Sequence, residues 1–185
     1  MEATSETVDE VIAALQTPLR TIDDAVALLP QAKGLYAWWA PTNVLPHLPG
    51  PPFPTDTFIR LLYVGLATNL RTRITHSHLR RSGSSTLRRT LAGLLLKEHG
   101  LRTRWIDRVV LIDDDELRLT GWMHQQLLLS WCQHSKPRQV EADVITRLRP
   151  PLNVVHTSGP LREIIRDARA RFQDSAGPRP KDIGR

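Results

Sequence analysis

The chain has 185 residues, 41% of them hydrophobic and 24% charged, and its formal net charge at pH 7 is +6, so it can bury the core of one ordinary domain. It contains no window near the roughly 18 apolar residues that a membrane helix requires, and its N-terminus lacks the basic and apolar segments of an export signal. These features argue against a membrane protein and lead us to expect a cytoplasmic one.

The first part of the chain predicts a short helix and then two strands. Residues 6–16 repeat apolar side chains at helical spacing and place acidic ones early, which favours a helix. Residues 34–40 and 58–67 are rich in aromatic and β-branched residues, as buried strands are. The six prolines of residues 41–56 predict a surface loop between them. We expect the two strands to pair antiparallel across this long connection.

The rest of the chain predicts helices around one further strand. Residues 108–113 favour a third strand, and the acidic run 113–116 is predicted to be a solvated turn without a functional role. Cys132, the only cysteine, lies in an apolar, helix-like stretch and is predicted to belong to the core. From Ser175 the composition favours disorder. The remaining helices are predicted over residues 69–81, 86–99, 119–133, 138–148 and 160–172.

Basic residues are concentrated in one window, between Arg71 and Arg108. This window holds ten basic residues against two acidic ones, whereas the rest of the chain is close to neutral. Such a concentration favours binding to a polyanion, and a solvated face that keeps the protein soluble is the alternative. The residues that we expect to bind nucleic acid are Arg71, Arg80, Arg81, Arg88 and Arg89.

Five features stand out by their order along the chain. They are Gly34-Leu35-Tyr36, Tyr63-Val64-Gly65, Arg73, Glu141, and Asn153 within Pro150-Pro151-Leu152-Asn153. Tyr36 and Tyr63 are the only tyrosines of the chain, and Arg73 follows Tyr63 by ten residues. In this order the five features resemble the GIY-YIG nuclease family. Residues 63–73 are also similar to the corresponding stretch in the incision domain of bacterial nucleotide-excision repair nucleases.

The resemblance, which spans residues 34–153, implies an α+β fold in which a small three-stranded antiparallel sheet is flanked by helices. We accordingly divide the chain into an N-terminal helical extension over residues 1–33, a nuclease domain over 34–173 and a disordered basic tail over 174–185.

The resemblance also implies a role for each site residue. Glu141 is expected to ligate one Mg²⁺ or Mn²⁺, whose other positions go to water and phosphate. Arg73 is expected to bind the scissile phosphate with its planar fork. Tyr36 and Tyr63 are expected to position or deprotonate the attacking water, for which a phenol with a free pKa of about 10 needs nearby positive charge. Asn153 is expected to hold the site residues in position without taking part in the reaction itself.

Taken singly, these residues have simpler interpretations. The two tyrosines are compatible with packing in a sheet, Arg73 with a solvated surface arginine, Glu141 with a surface carboxylate, and Asn153 with a turn after a helix. Only their joint order along the chain favours the catalytic interpretation.

One position departs from the family pattern. Members often carry a histidine four residues after the helix arginine, where it lies on the same helix face. Here that position is Ser77, and His76 and His78 lie on either side of it. We favour His76 slightly, with a solvent-facing histidine as the alternative.

The sequence therefore predicts a metal-dependent DNA endonuclease. The alternatives are a nucleic-acid-binding module that keeps the fold without efficient catalysis, for which the displaced histidine is the motive, and an RNA-directed nuclease. Because the chain has little beyond a catalytic core, we expect low intrinsic specificity, a homodimer or a partner that supplies recognition.

Overall fold

Two long strands pair antiparallel in the main sheet, as the sequence predicts. The computed structural model describes residues 5–154 and 158–180 of the chain. These strands carry the two tyrosines, and residues 34–41 of the first lie opposite residues 59–67 of the second. In chain order, the strands of the described residues are β1 (Arg20–Thr21), β2 (Gly34–Pro41), β3 (Pro52–Phe53), β4 (Asp56–Ala67), β5 (Thr103–Trp105), β6 (Val109–Leu111) and β7 (Leu128–Gln133).

The main sheet has five strands in the described part of the chain, not the predicted three. Its order is β1-β7-β2-β4-β3, and every neighbouring pair is antiparallel. The predicted strand at 108–113 exists as β6, but it pairs with β5 in a separate hairpin. The second neighbour of β2 is β7, so the predicted helix over 119–133 is wrong at its end, and Cys132 lies half-buried in a strand.

Helices cover both faces of the main sheet. In chain order, the helices of the described residues are α1 (Ser5–Leu15), α2 (Ile22–Leu28), α3 (Leu70–Thr72), α4 (Thr86–Leu95), α5 (Asp113–Gln126), α6 (Pro137–Leu148) and α7 (Gly159–Asp174). Helices α1 and α6 pack on the face that carries Leu35 and Trp39. The other face, which carries Tyr36 and Trp38, packs in one core cluster with residues of α2, α3, α4, α5 and α7. Across the described residues, no helix combines the length and the apolar content needed to cross a membrane.

Two short helical turns separate α3 from α4. Helix α3 continues directly into a π-helical turn over Arg73–His78, and Ser82–Ser84 forms a 3-10 turn. Both turns lie within the segment that the sequence predicts as one helix and a break.

Segments near both ends of the described residues are tied to the rest of the fold. Strand β1, within the N-terminal extension, pairs with β7 and so belongs to the main sheet. Beyond α7, Ser175 Oγ lies 2.7 Å from Thr103 Oγ1, and Trp105 Nε1 donates to Gly177 O at 2.9 Å. The predicted disordered tail therefore begins with residues that contact the β5–β6 hairpin, and its last part, residues 181–185, lies outside the described residues.

The acidic run 113–116 begins α5 and is not the predicted solvated turn. Acidic side chains in a first turn lie at the positive end of the helix dipole. Asp115 is fully buried and accepts hydrogen bonds from Arg102 Nε at 3.0 Å and from Arg118 Nη1 at 2.7 Å. Glu116 forms an ion pair in the interior. The exposed Asp113 and Asp114 pair with arginines at the surface, so every acid of the run has a partner.

Arg88 is the partner of Glu116, and its burial contradicts the predicted contact with nucleic acid. Its side chain is fully buried, and Nε donates to Glu116 Oε2 at 2.7 Å. Nη1 donates to His78 O at 3.1 Å, and Nη2 donates to Thr120 Oγ1 at 3.0 Å. A guanidinium that is enclosed and bonded in this way joins α4, α5 and the π-helical turn, and it has no surface to offer a ligand.

We expect Glu116→Ala to destabilise the fold by about 3 kcal/mol or more, because it leaves the Arg88 charge buried without its carboxylate. Urea denaturation of the wild-type and variant proteins measures the difference. Asp107→Ala is the matched control, since it removes an exposed partner of Arg108 and is expected to cost less than about 1 kcal/mol. Equal losses in the two variants would show that the buried pair is not a stabilising contact.

Candidate active site

The two tyrosines lie side by side on the central strands. The register of β2 and β4 places Tyr36 opposite Gly65 and Tyr63 opposite Trp38. Their ring centroids are 6.3 Å apart. A Cβ atom at Gly65 would lie 2.5 Å from Tyr36 Oη, so a glycine is needed to leave room for the phenol. The glycine that follows Tyr63 by two residues thus makes space for the other tyrosine.

A buried chain of hydrogen-bonding groups runs from Tyr36 to the start of α4. Tyr36 Oη lies 2.6 Å from His78 Nε2, and His78 Nδ1 lies 2.7 Å from Ser85 Oγ. Ser85 Oγ also accepts the Arg88 backbone N–H at 3.0 Å and caps α4. Tyr36, His78 and Ser85 are all buried. The cap of α4 therefore orients the ring of His78, and His78 orients the phenol of Tyr36.

The π-helical turn explains why His78 reaches the site. In an α-helix the residue four positions after Arg73, which is Ser77, would share its face. Here the turn is π-helical, and the Leu79 N–H donates to Ile74 O, five residues earlier, at 3.0 Å. A π-helical turn contains about one residue more than an α-helical turn. The residue five positions after Arg73 therefore lies where an α-helix would place the residue four positions after it. That position is His78.

His76, which the sequence favours, lies elsewhere. Its side chain is exposed, and Nδ1 lies 2.8 Å from the hydroxyl of the neighbouring Thr75. Of the two histidines that flank Ser77, the structure brings His78 against Tyr36. The π-helical geometry of the turn, in place of the expected α-helix, is why His78 and not His76 reaches the site.

Arg73 and Glu141 join the tyrosines around one cavity. Arg73 Nε lies 3.4 Å from Tyr36 Oη, and Nη1 donates to Ser84 O at 3.2 Å. The cavity has a volume of about 480 Å³, and Glu141 enters its wall from α6. Arg138, three residues earlier on the same helix, also lines it. This residue is not among those predicted from the sequence, although its i, i+3 spacing to Glu141 places both on one face of the helix. The other lining residues are Leu66, Thr68, Asn69, Thr72 and Ser77.

Asn153 holds the backbone next to Tyr63. Its Oδ1 accepts the Val64 N–H at 2.9 Å, and its Nδ2 donates to the Val64 carbonyl at 2.7 Å. The N–H of the preceding residue, Leu152, donates to Leu62 O at 3.0 Å. The segment therefore binds the outer edge of β4 as a neighbouring strand would, on both sides of the second tyrosine.

Both phenols are protonated at neutral pH. Burial raises the pKa of Tyr36 well above its ordinary value; the nearby Tyr63 adds to the rise, and Arg73 opposes it. Burial also raises the pKa of Tyr63, where Arg73 and Arg169 oppose the rise and Glu141 adds to it. Positive charge near the two phenols is thus present, but it does not outweigh their burial.

The histidine of the site is neutral. Burial lowers the pKa of His78 well below its ordinary value, and the charges of Arg73 and Arg88 lower it further. When Nδ1 carries the proton and donates it to Ser85 Oγ, Nε2 is left as an acceptor for the Tyr36 O–H.

Glu141 is the carboxylate that lines the tyrosine cavity, and the described residues contain no group of three or more His, Cys, Asp or Glu arranged to hold a metal. A magnesium ion fits this sparse donor set, because it keeps several waters and often takes one or two carboxylates together with substrate phosphates. The other donors around the cavity are mainly hydroxyl and amide oxygens, which suit a hard cation such as Mg²⁺ or Mn²⁺.

The other arginines predicted to bind nucleic acid occupy different environments. Arg71 is half-buried, and its Nε donates to Leu29 O at 2.9 Å. Arg80 and Arg81 are exposed and line a separate groove of about 880 Å³ between the β5–β6 hairpin and α5. Arg89 is half-buried and bonded to the 3-10 turn. None of these four lines the tyrosine cavity in the described part of the chain.

A family model matches most of the chain. The model, described as the GIY-YIG catalytic domain, matches residues 34–171, from the first residue of β2 into α7. No curated protein and no solved structure matches the chain significantly. The matched range includes every residue that lines the tyrosine cavity.

We expect His78→Gln to weaken the dependence of folding stability on pH. The folded state keeps His78 neutral, whereas the unfolded chain protonates it near pH ~6.5, so the stability of the wild type falls as the pH decreases below that value. One such proton corresponds to a slope of about 1.4 kcal/mol per pH unit. Urea denaturation at a series of pH values measures the slope.

His76→Gln is the matched control, because its side chain on the same turn is exposed. It should keep the wild-type slope. If His78→Gln also kept that slope, the burial of a neutral His78 in the folded state would be contradicted.

Proposed function

Because the chain belongs to the GIY-YIG catalytic-domain family, whose members are generally endonucleases, we propose that it is a metal-dependent endonuclease that hydrolyses the phosphodiester bonds of DNA. One observation carries the proposal: Tyr36, Tyr63, Arg73 and Glu141 come from separate segments and line a single cavity. Together they supply groups for water, for phosphate and for a cation, which are the needs of phosphodiester hydrolysis.

Arg73 is the residue that we assign to the scissile phosphate. Its Nε and Nη1 face Tyr36 Oη and Ser84 O, which fix the plane of the guanidinium. Nη2 and the remaining N–H groups are then free to meet a phosphate oxygen. Arg138 is exposed on α6 and lines the same cavity as Glu141. We assign it a contact with the substrate on that side of the cavity.

Tyr36 and Tyr63 position the attacking water through their phenols. Since both phenols keep their protons in the free protein, Tyr36 accepts a proton from water only as its own proton moves to His78 Nε2. An anionic phosphate at Arg73 favours this transfer, because negative charge offsets the positive charges that lower the pKa of His78. Proton transfer is thereby linked to substrate binding.

Glu141 is the residue that we assign to the metal. A bound Mg²⁺ or Mn²⁺ would counter the charge that develops on the phosphate oxygens. The carboxylate faces both phenols closely enough that its charge contributes to the raised pKa of each.

DNA is the substrate that we propose, with RNA as the alternative to be tested beside it. The basic window that precedes α5 favours a polyanion of either kind. The contact between His78 and Tyr36 supports catalysis over a module that only binds, because the displaced histidine was the motive for that alternative.

We expect the purified protein to nick or cut plasmid DNA with Mg²⁺ or Mn²⁺, and Glu141→Gln to abolish cleavage while DNA binding remains close to that of the wild type. The amide keeps the size of the side chain and removes the charge that would hold the ion. Gel analysis of plasmid and a parallel RNA substrate measures cleavage, and fluorescence anisotropy measures binding.

Asp143→Asn is the matched control, because it removes an exposed carboxylate two residues further along the same helix. It should cleave like the wild type. Cleavage that survives Glu141→Gln, or no cleavage with any divalent metal, would refute the proposed activity.

We expect His78→Gln to lower kcat about 100-fold with little change in KM, because a positioned group that takes part in proton transfer contributes about 10²-fold or more. The pH profile of kcat should also change its acid limb, which a merely structural effect would not do. His76→Gln should leave both measurements unchanged. Equal losses of kcat in the two variants would remove His78 from the proposed proton path.

A further inference from the structure

Three arginines converge on one short turn beside the active site. Ser82–Ser84 presents three consecutive carbonyl oxygens. Arg89 Nη1 donates to the first two, at 2.7 and 3.1 Å, Arg108 Nη1 donates to the second at 3.1 Å, and Arg73 Nη1 donates to the third at 3.2 Å. Since Arg89 and Arg108 share one oxygen atom, their guanidinium groups are close neighbours.

A fourth arginine reaches the same place from the last helix. Helix α7 crosses α4 so closely that a Cβ atom at Gly93 would lie 2.1 Å from Ala168 O. The next residue, Arg169, is half-buried, and its Nε donates to Thr90 Oγ1 at 2.9 Å. Thr90 directly follows Arg89, so the close crossing of the helices brings the two arginines together. We call Arg73, Arg89, Arg108 and Arg169 the arginine cluster.

The cluster has little compensating negative charge. Among the described residues, Arg108 forms an ion pair with the exposed Asp107, and no carboxylate lies within ion-pair distance of Arg73, Arg89 or Arg169. Burial lowers the pKa of Arg89, and the charges of Arg108 and Arg169 lower it further. Like charges held together in this way are costly, and an anion bound among them would relieve the repulsion.

We propose that Arg89, Arg108 and Arg169 form a subsite for the phosphodiester backbone of the substrate strand, next to the scissile phosphate at Arg73. The inference rests on the proposed function and assigns neighbouring phosphates of the same substrate to residues outside the tyrosine cavity. Each guanidinium has five N–H donors and spends only some of them on the protein. The others are available to phosphate oxygens, which arginine binds in pairs.

Arg169 is the member of the arginine cluster that a purely structural role does not explain. Arg73, Arg89 and Arg108 satisfy the carbonyls of the turn, which would explain them without any ligand. Arg169 makes no bond to that turn; its bond is to the hydroxyl of Thr90, which already donates to Thr86 O. Its charge is close enough to Tyr63 to oppose the rise that burial causes in the pKa of that phenol.

The test measures binding separately from cleavage. In the Glu141→Gln background, fluorescence anisotropy with a labelled DNA duplex, and with an RNA duplex of the same sequence, gives the affinity at a series of KCl concentrations. We expect Arg169→Gln and Arg108→Gln each to weaken binding and to reduce the slope of log affinity against log salt by about one, the effect of one lost phosphate contact. Melting curves check that each variant is folded.

Arg162→Gln is the matched control, since it removes an exposed arginine from the same helix as Arg169. It should keep affinity and slope near those of the parent protein. If Arg169→Gln and Arg108→Gln behaved like Arg162→Gln, the subsite would be overturned, even in a protein that cleaves. If their slopes fell as expected in a protein that never cleaves, the subsite would stand and the proposed nuclease activity would not.

Discussion

The antiparallel pairing of β2 with β4 is the constraint on which the rest of the site depends. Because Tyr36 lies opposite Gly65, its phenol extends across the neighbouring strand without meeting a side chain. The ring then reaches the π-helical turn, where it contacts His78 and Arg73. A shift of either strand by one residue would turn its tyrosine toward the face covered by α1 and α6 and separate the two phenols. Hydrophobic packing on both faces of the sheet therefore fixes the register, and the register fixes the positions of the site residues.

Much of this arrangement could be predicted from the sequence. The strands of Tyr36 and Tyr63, the helix of Glu141 and the last helix lie where apolar periodicity indicates them. Such patterns are read reliably because each element buries one consistent face or runs apolar throughout. The meeting of Tyr36, Tyr63, Arg73 and Glu141 at one site was predicted from the family resemblance that their order carries, and the structure brings them together around one cavity.

The parts that could not be predicted depend on tertiary context. Strand β7 consists of a short apolar run that suits a helix or a strand equally, and only its place beside β2 decides. The choice between His76 and His78 depended on one extra residue in a helical turn, which composition does not reveal. Arg88 and Arg89 are neighbours in the sequence and carry the same charge. Arg88 is nevertheless buried, where it pairs with Glu116 on α5. Formal charge locates basic residues without telling which of them solvent can reach.

The side chain of Asn153 has a consequence for self-association. An unpaired strand edge is a template on which another chain can add a strand. Along the outer edge of β4, β3 and the Pro51 carbonyl cover the first part, and the Leu152 amide and the Asn153 side chain occupy the positions at Leu62 and Val64. A second copy of the chain therefore cannot pair with β4 at these positions. The strand that carries the second phenol is therefore protected at these positions from the edge-to-edge contacts that begin aggregation.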